Sequence, residues 1–75
     1  MAILQRFRKV RETDREVEYA FGYPEMDRML TIDKADRTFR VADGTQDHAS
    51  RAVLTRVTSR AATEGTWPSG GAVQS

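Results

Sequence analysis

The chain has 75 residues, 39% hydrophobic and 31% charged, with a formal net charge of +1, which suits one small folded domain and argues against a disordered polyampholyte. It has no cysteine, which excludes disulfides and thiolate metal sites and fits a reducing compartment. No apolar run approaches the roughly 20 residues that span a bilayer, and "MAILQRFRKV" meets its charges too early for a signal peptide, so a cytoplasmic location is expected.

The charge is unevenly spread, at +3 over residues 1–15, −4 over 16–36 and +2 over 37–75. That balance is too even for attachment to nucleic acid by bulk charge, although it allows a local basic patch. The first elements come from "RFRKVRETDREVEYAF". With Thr13–Asp14 as a two-residue loop, Glu12 faces Arg15, Arg11 faces Glu16, Val10 faces Val17 and Lys9 faces Glu18. Three opposite-charge pairs and one β-branched pair across from one another favour a hairpin. Thr-Asp is not the preferred Asn-Gly pair, which leaves room for a longer loop. A rival pattern puts Ile3, Leu4, Phe7 and Val10 on one side of a short helix.

Gly22 and Pro24 end the second strand. A third strand is expected over Arg28–Asp33 and a fourth over Thr38–Ala42, in the register that pairs Ile32 with Phe39 and Leu30 with Val41. That register keeps all four apolar side chains on one face. "ADGTQD" then reads as a turn leading to a helix with Thr45 or Asp47 as N-cap. The helix runs to Glu64, with Val53, Leu54, Val57 and Ala61 within about 100° of arc and Gly65 just beyond its end. Trp67 is expected to dock back as a lid, and residues 68–75 to form a flexible tail behind a single domain over 1–67.

The fold class is therefore α+β: a four-stranded antiparallel meander with one C-terminal helix on one face, in two layers. Val10, Val17, Tyr19, Phe21, Tyr23, Leu30, Ile32, Phe39 and Val41 form the apolar face. The aromatic row Tyr19, Phe21, Tyr23 is then a core wall under the helix, not a platform for bases. The hairpin register also puts Arg8 across from Tyr19 and Arg6 across from Phe21. Two arginines do not belong inside a core, so either a bulge breaks the register or the first strand projects beyond the helix. "YAFGY" departs from the RNA-recognition motif, since the basic residue and second glycine that precede its aromatics are missing.

No catalytic set assembles. Asp47, His48 and Ser50 are near neighbours at a helix start, which is capping chemistry and cannot give nucleophile–base–orienter geometry. A lone His48 without cysteine does not make a zinc site, and "DKAD" lacks calcium-loop spacing. Glu25, Asp27, Asp33 and Asp36 read as solvated turn acids. No cofactor, metal, membrane or small-molecule site is indicated, and the chain is not read as an enzyme. Arg56 and Arg60 flank the helix stripe; Arg60 is placed to meet Glu64, while Arg51 points elsewhere on the wheel and interrupts a continuous ridge. The candidate contacts for a partner are Arg6, Arg8, Lys9, Arg11, Arg56, Arg60 and Trp67. They serve a protein partner or a homodimer in the first reading, and nucleic acid in the second. The expected dimer contact is the open sheet edge opposite the basic first strand, or Trp67 with the exposed aromatic rim.

"VEYAFGYPEMDR" together with "EGTWPSGG" resembles small actinobacterial proteins of similar length. The resemblance covers most of the chain and implies one compact unit; it implies no activity and no site residues.

Overall fold

The computed structural model describes residues 4–22 and 25–74, and of Gln74 only the backbone. Five strands, β1 (Leu4–Glu12), β2 (Glu16–Gly22), β3 (Arg28–Asp33), β4 (Phe39–Val41) and β5 (Gly70–Gln74), form one antiparallel sheet in the order β4-β3-β2-β1-β5. One helix, α1 (His48–Glu64), covers one face. The α+β class and the meander of the first four strands are as expected. The fifth strand is not: residues 70–74, expected as tail, complete the sheet beside β1.

The register of β3 and β4 pairs Ile32 with Phe39 and Leu30 with Val41, as the one-sided core requires. The register of β1 and β2 differs from expectation. Phe7 faces Phe21 and Lys9 faces Tyr19, then a bulge at Val10 shifts the pairing to Arg11 with Glu18 and Glu12 with Val17. The turn is longer than two residues: the Thr13 N–H donates to the Glu16 carbonyl at 2.8 Å, and the Thr13 hydroxyl accepts from the Arg15 and Glu16 amides. A one-residue slip moves every side chain to the other face. Phe7 therefore enters the core at 2% exposure, Val10 leaves it at 44%, and Arg6 and Arg8 turn to the open face. The bulge resolves the conflict of arginines in a core.

Burial explains why this register wins. Phe7, Tyr19, Phe21, Val17, Leu30, Ile32 and Val41 pack against Val53 and Val57 of α1, with Phe7 edge-on to Tyr19 at 5.8 Å. A buried Phe contributes about 1.5–3 kcal/mol relative to an exposed one; each arginine in its place would cost desolvation instead. Tyr19 and Phe21 are fully buried, so both are core wall. Ile3, Tyr23 and Pro24 lie outside the described residues.

The helix starts where Asp47 caps it. Its carboxylate accepts from the Ser50 amide at 3.0 Å, and the Ser50 hydroxyl accepts from the Asp47 amide at 2.9 Å. Ser50 is fully buried, so Asp47 and Ser50 serve as a reciprocal cap. At the other end Gly65 adopts φ 77° and donates to the Ala61 carbonyl at 2.9 Å. Arg28 holds the connection into the helix: it reaches Asp43 at 2.9 Å, Asp47 at 3.0 Å and the Thr45 carbonyl at 3.0 Å, with its guanidinium 4.8 Å from the Phe21 ring centre. A sequence pattern shows Arg28 only as a strand residue, yet it fixes three points of the loop that precedes α1.

Past the helix the chain returns across the core to reach β5. Trp67 is half-buried against the core, beneath the Arg37 guanidinium at 5.6 Å. The buried Tyr19 hydroxyl donates to the Pro68 carbonyl at 2.7 Å. Trp67 thus takes the lid position expected of it.

Candidate functional site

The expected basic contacts divide into committed and uncommitted groups. Lys9 binds Glu12 at 2.6 Å, and Lys34 binds the other oxygen of the same carboxylate, also at 2.6 Å. Arg11 and Arg40 converge on Glu16 at 3.3 and 3.0 Å, with Glu18 3.5 Å from Arg11. Arg60 binds Glu64 at 3.1 Å, as its spacing predicts. These cations hold Glu12 and Glu16 below the usual carboxylate range and are occupied within the fold. Arg6, Arg8, Arg51 and Arg56 have no acidic partner within 4 Å among the described residues. Of the catalytic and cation candidates, Asp47 and Ser50 form the helix cap. Asp33 and Asp36 accept amides of their own turn, and no three His, Asp or Glu side chains converge among the described residues.

These four arginines border β5. On the open face Arg6 lies beside Ala72 and Arg8 beside Gly70. On the helix face a groove of roughly 660 Å³ runs between α1 and β5. His48, Ala52, Arg56 and Arg60 form one of its rows, Arg51, Thr55 and Ser59 a second, and Val73 supplies the strand side. Arg51 therefore shares the groove with Arg56 and Arg60, contrary to its expected separation. The groove spans two adjacent rows of the helix, wide enough to take in both sides of the wheel.

Backbone geometry sharpens the picture. The Lys9 amide donates to the Ser69 carbonyl at 2.8 Å. Antiparallel ladders alternate residues that bond their partner with residues that do not. Ser69, Gly71 and Val73 therefore turn their polar groups toward β1, and Gly70 and Ala72 direct N–H and C=O outward from the sheet. The strand GGAVQ carries no charge and no proline, and nothing pairs with its outer side among the described residues. The opposite edge, β4, is only three residues long and displays Arg40. Of the two edges, β5 is the unprotected one.

Two glycines make this strand possible by close approach. A Cβ at Gly71 would lie 3.0 Å from Phe7 Cζ and 3.3 Å from the Arg60 guanidinium; one at Gly70 would lie 3.0 Å from the Phe7 carbonyl oxygen. "PSGGAVQ" looks like a linker because glycine is the default linker residue, whereas here it lets β5 close on Phe7. The signal available in the sequence is the need to cover Phe7 and Gln5 once the bulge points them inward.

Among the described residues no helix is long and apolar enough to cross a membrane. Comparison of the chain with protein families, with curated proteins and with solved structures finds no match.

Proposed function

We propose that the chain is a non-catalytic interaction module that takes up an extended protein segment as a sixth strand along β5. The observation that carries this is the outward N–H and C=O of Gly70 and Ala72 on an uncharged edge. Strand addition draws its affinity from such main-chain groups and its selectivity from the pockets beside them. The groove along α1 receives the inward side chains of the added strand. The substitution Ala72→Pro tests it. Proline there removes one outward donor and leaves every β1–β5 ladder bond, a placement that edge strands tolerate. Affinity capture from nuclease-treated lysate should lose its specific partners with this variant; equal capture by both proteins refutes strand addition.

A second reading, nucleic-acid binding, is favoured by Arg6, Arg8, Arg51 and Arg56, which have no acidic partner among the described residues. It requires the phosphate backbone to follow Arg51 and Arg56 on the helix face or Arg6 and Arg8 on the open face. Binding of this kind weakens steeply with salt.

A further inference from the structure

We infer that the segment taken up at β5 is acidic, with Asp or Glu at alternate positions on the strand face that meets Arg6 and Arg8, and small apolar residues on the other. The inference rests on the strand-addition reading and adds the chemistry of the partner. Strands in a sheet lie about 4.8 Å apart, so a sixth strand would run roughly 9.6 Å from β1. Beside Arg8 and Arg6, β5 presents Gly70 and Ala72 on the open face. Neither residue is bulky, and the long arms of Arg6 and Arg8 reach across them to a carboxylate on the added strand. On the helix face the added side chains enter the groove beside Val73 and Ala52, whose outer rim is Arg51 and Arg56. The floor takes a small apolar side chain, and the rim adds positive charge to the same edge. Both borders of the docking edge thus carry positive charge without acidic partners among the described residues, and arginine pairs carboxylates through two parallel bonds.

The same charges argue against a second copy of this chain as the occupant. Antiparallel pairing of β5 with itself would bring Arg6 and Arg8 of both copies onto one face and their two arginine-rimmed grooves onto the other. Like charges so placed repel. A foreign acidic strand meets no such penalty.

The experiment is selection from a random heptapeptide display library on the full chain, followed by titration of the recovered peptides. Peptides with acids at alternate positions are expected. Their affinity should fall about tenfold with Arg8→Glu and with Arg6→Glu and should be lost with Ala72→Pro. The two arginine variants alter only exposed side chains and keep the test valid should the proline variant unfold. Recovery of neutral or basic peptides that still depend on Ala72 overturns the acidic partner and leaves strand addition standing. Acidic peptides indifferent to Ala72→Pro, in a folded variant, overturn strand addition. Failure to recover any peptide overturns the inference, as does tighter binding of a single-stranded oligonucleotide at the same arginines. A dimer in sedimentation that Ala72→Pro dissolves assigns the edge to a second copy instead.

Discussion

Replacing Tyr19 by Phe isolates one hydrogen bond between the core and the segment that delivers β5. The ring is fully buried and stays in place, edge-on to Phe7, so the substitution removes a single oxygen. That oxygen donates to the Pro68 carbonyl at 2.7 Å, and Pro68 is itself buried. Burial raises the phenol pKa well above its ordinary value, so the donor proton is present over the whole range in which the protein would be handled. Leaving a buried carbonyl unpaired costs about 1–3 kcal/mol. For a domain of this size each kcal/mol lowers the melting temperature by about 4–8 °C. Tyr19→Phe should therefore melt several degrees lower by circular dichroism. Amide exchange should accelerate first at Gly71 and Val73, before the helix amides of Val53 and Val57. An unchanged melting temperature, with β5 amides as protected as before, would refute the claim that this bond anchors the fifth strand.

Val57→Asp puts a charge with no partner into the fully buried centre of the helix stripe and should abolish the cooperative melting transition; a folded variant would displace α1 from the sheet. Gly71→Val meets the Phe7 ring and should release β5, seen as loss of protection at the Phe7 amide while β3 stays protected. Trp67 should emit blue-shifted in the folded protein, and Arg37→Ala should shift that emission toward the red as its cover is removed. The Ser50 amide, followed by Arg28, holds the Asp47 carboxyl below its ordinary range. Its stabilisation is thus fully present above the unfolded pKa of about 3.9 and is lost as pH falls through the lower folded value. Asp47→Ala should lower stability at pH 7 by about 1 kcal/mol and flatten the acid limb of a melting-temperature profile; an identical limb would refute the assignment.

How far these features can be read in the amino-acid sequence depends on the kind of signal each one leaves. The helix and its caps are local, and Asp47, Ser50 and Gly65 mark them directly. The register of β3 with β4 follows from four apolar residues that must share a face. The first hairpin is misleading because β1 alternates Arg and Lys against a strand rich in Glu. Charge pairing favours the expected register, which sets three opposite-charge pairs directly across, whereas the observed one sets only Arg11 across from Glu18. Arg11 meets Glu16 in space even though their strands pair differently from expectation. What decides among the registers is the burial of Phe7, a three-dimensional demand that charge pairing does not carry. The candidate site was half visible for a related reason. Arg6, Arg8 and Arg56 are plain in the sequence, but the strand that gathers them was hidden under two glycines, and Arg51 under a helical wheel that ignored the width of the groove.

The β1–β5 pairing joins residues 4–8 to residues 70–74, and that separation bears on the order of folding. Contacts between distant residues must overcome loop-closure entropy before they are rewarded, which favours docking of β5 after the meander has formed. Until then β1 is itself the outer strand, awaiting its neighbour with its hydrogen-bonding groups bare. Its composition suits that interval: Arg6, Arg8, Lys9 and Arg11 are the kind of charges that keep an unpaired strand from recruiting other chains. Interior in the finished sheet, β1 is composed as a temporary border, and its arginines guard the half-folded chain before they flank the completed one.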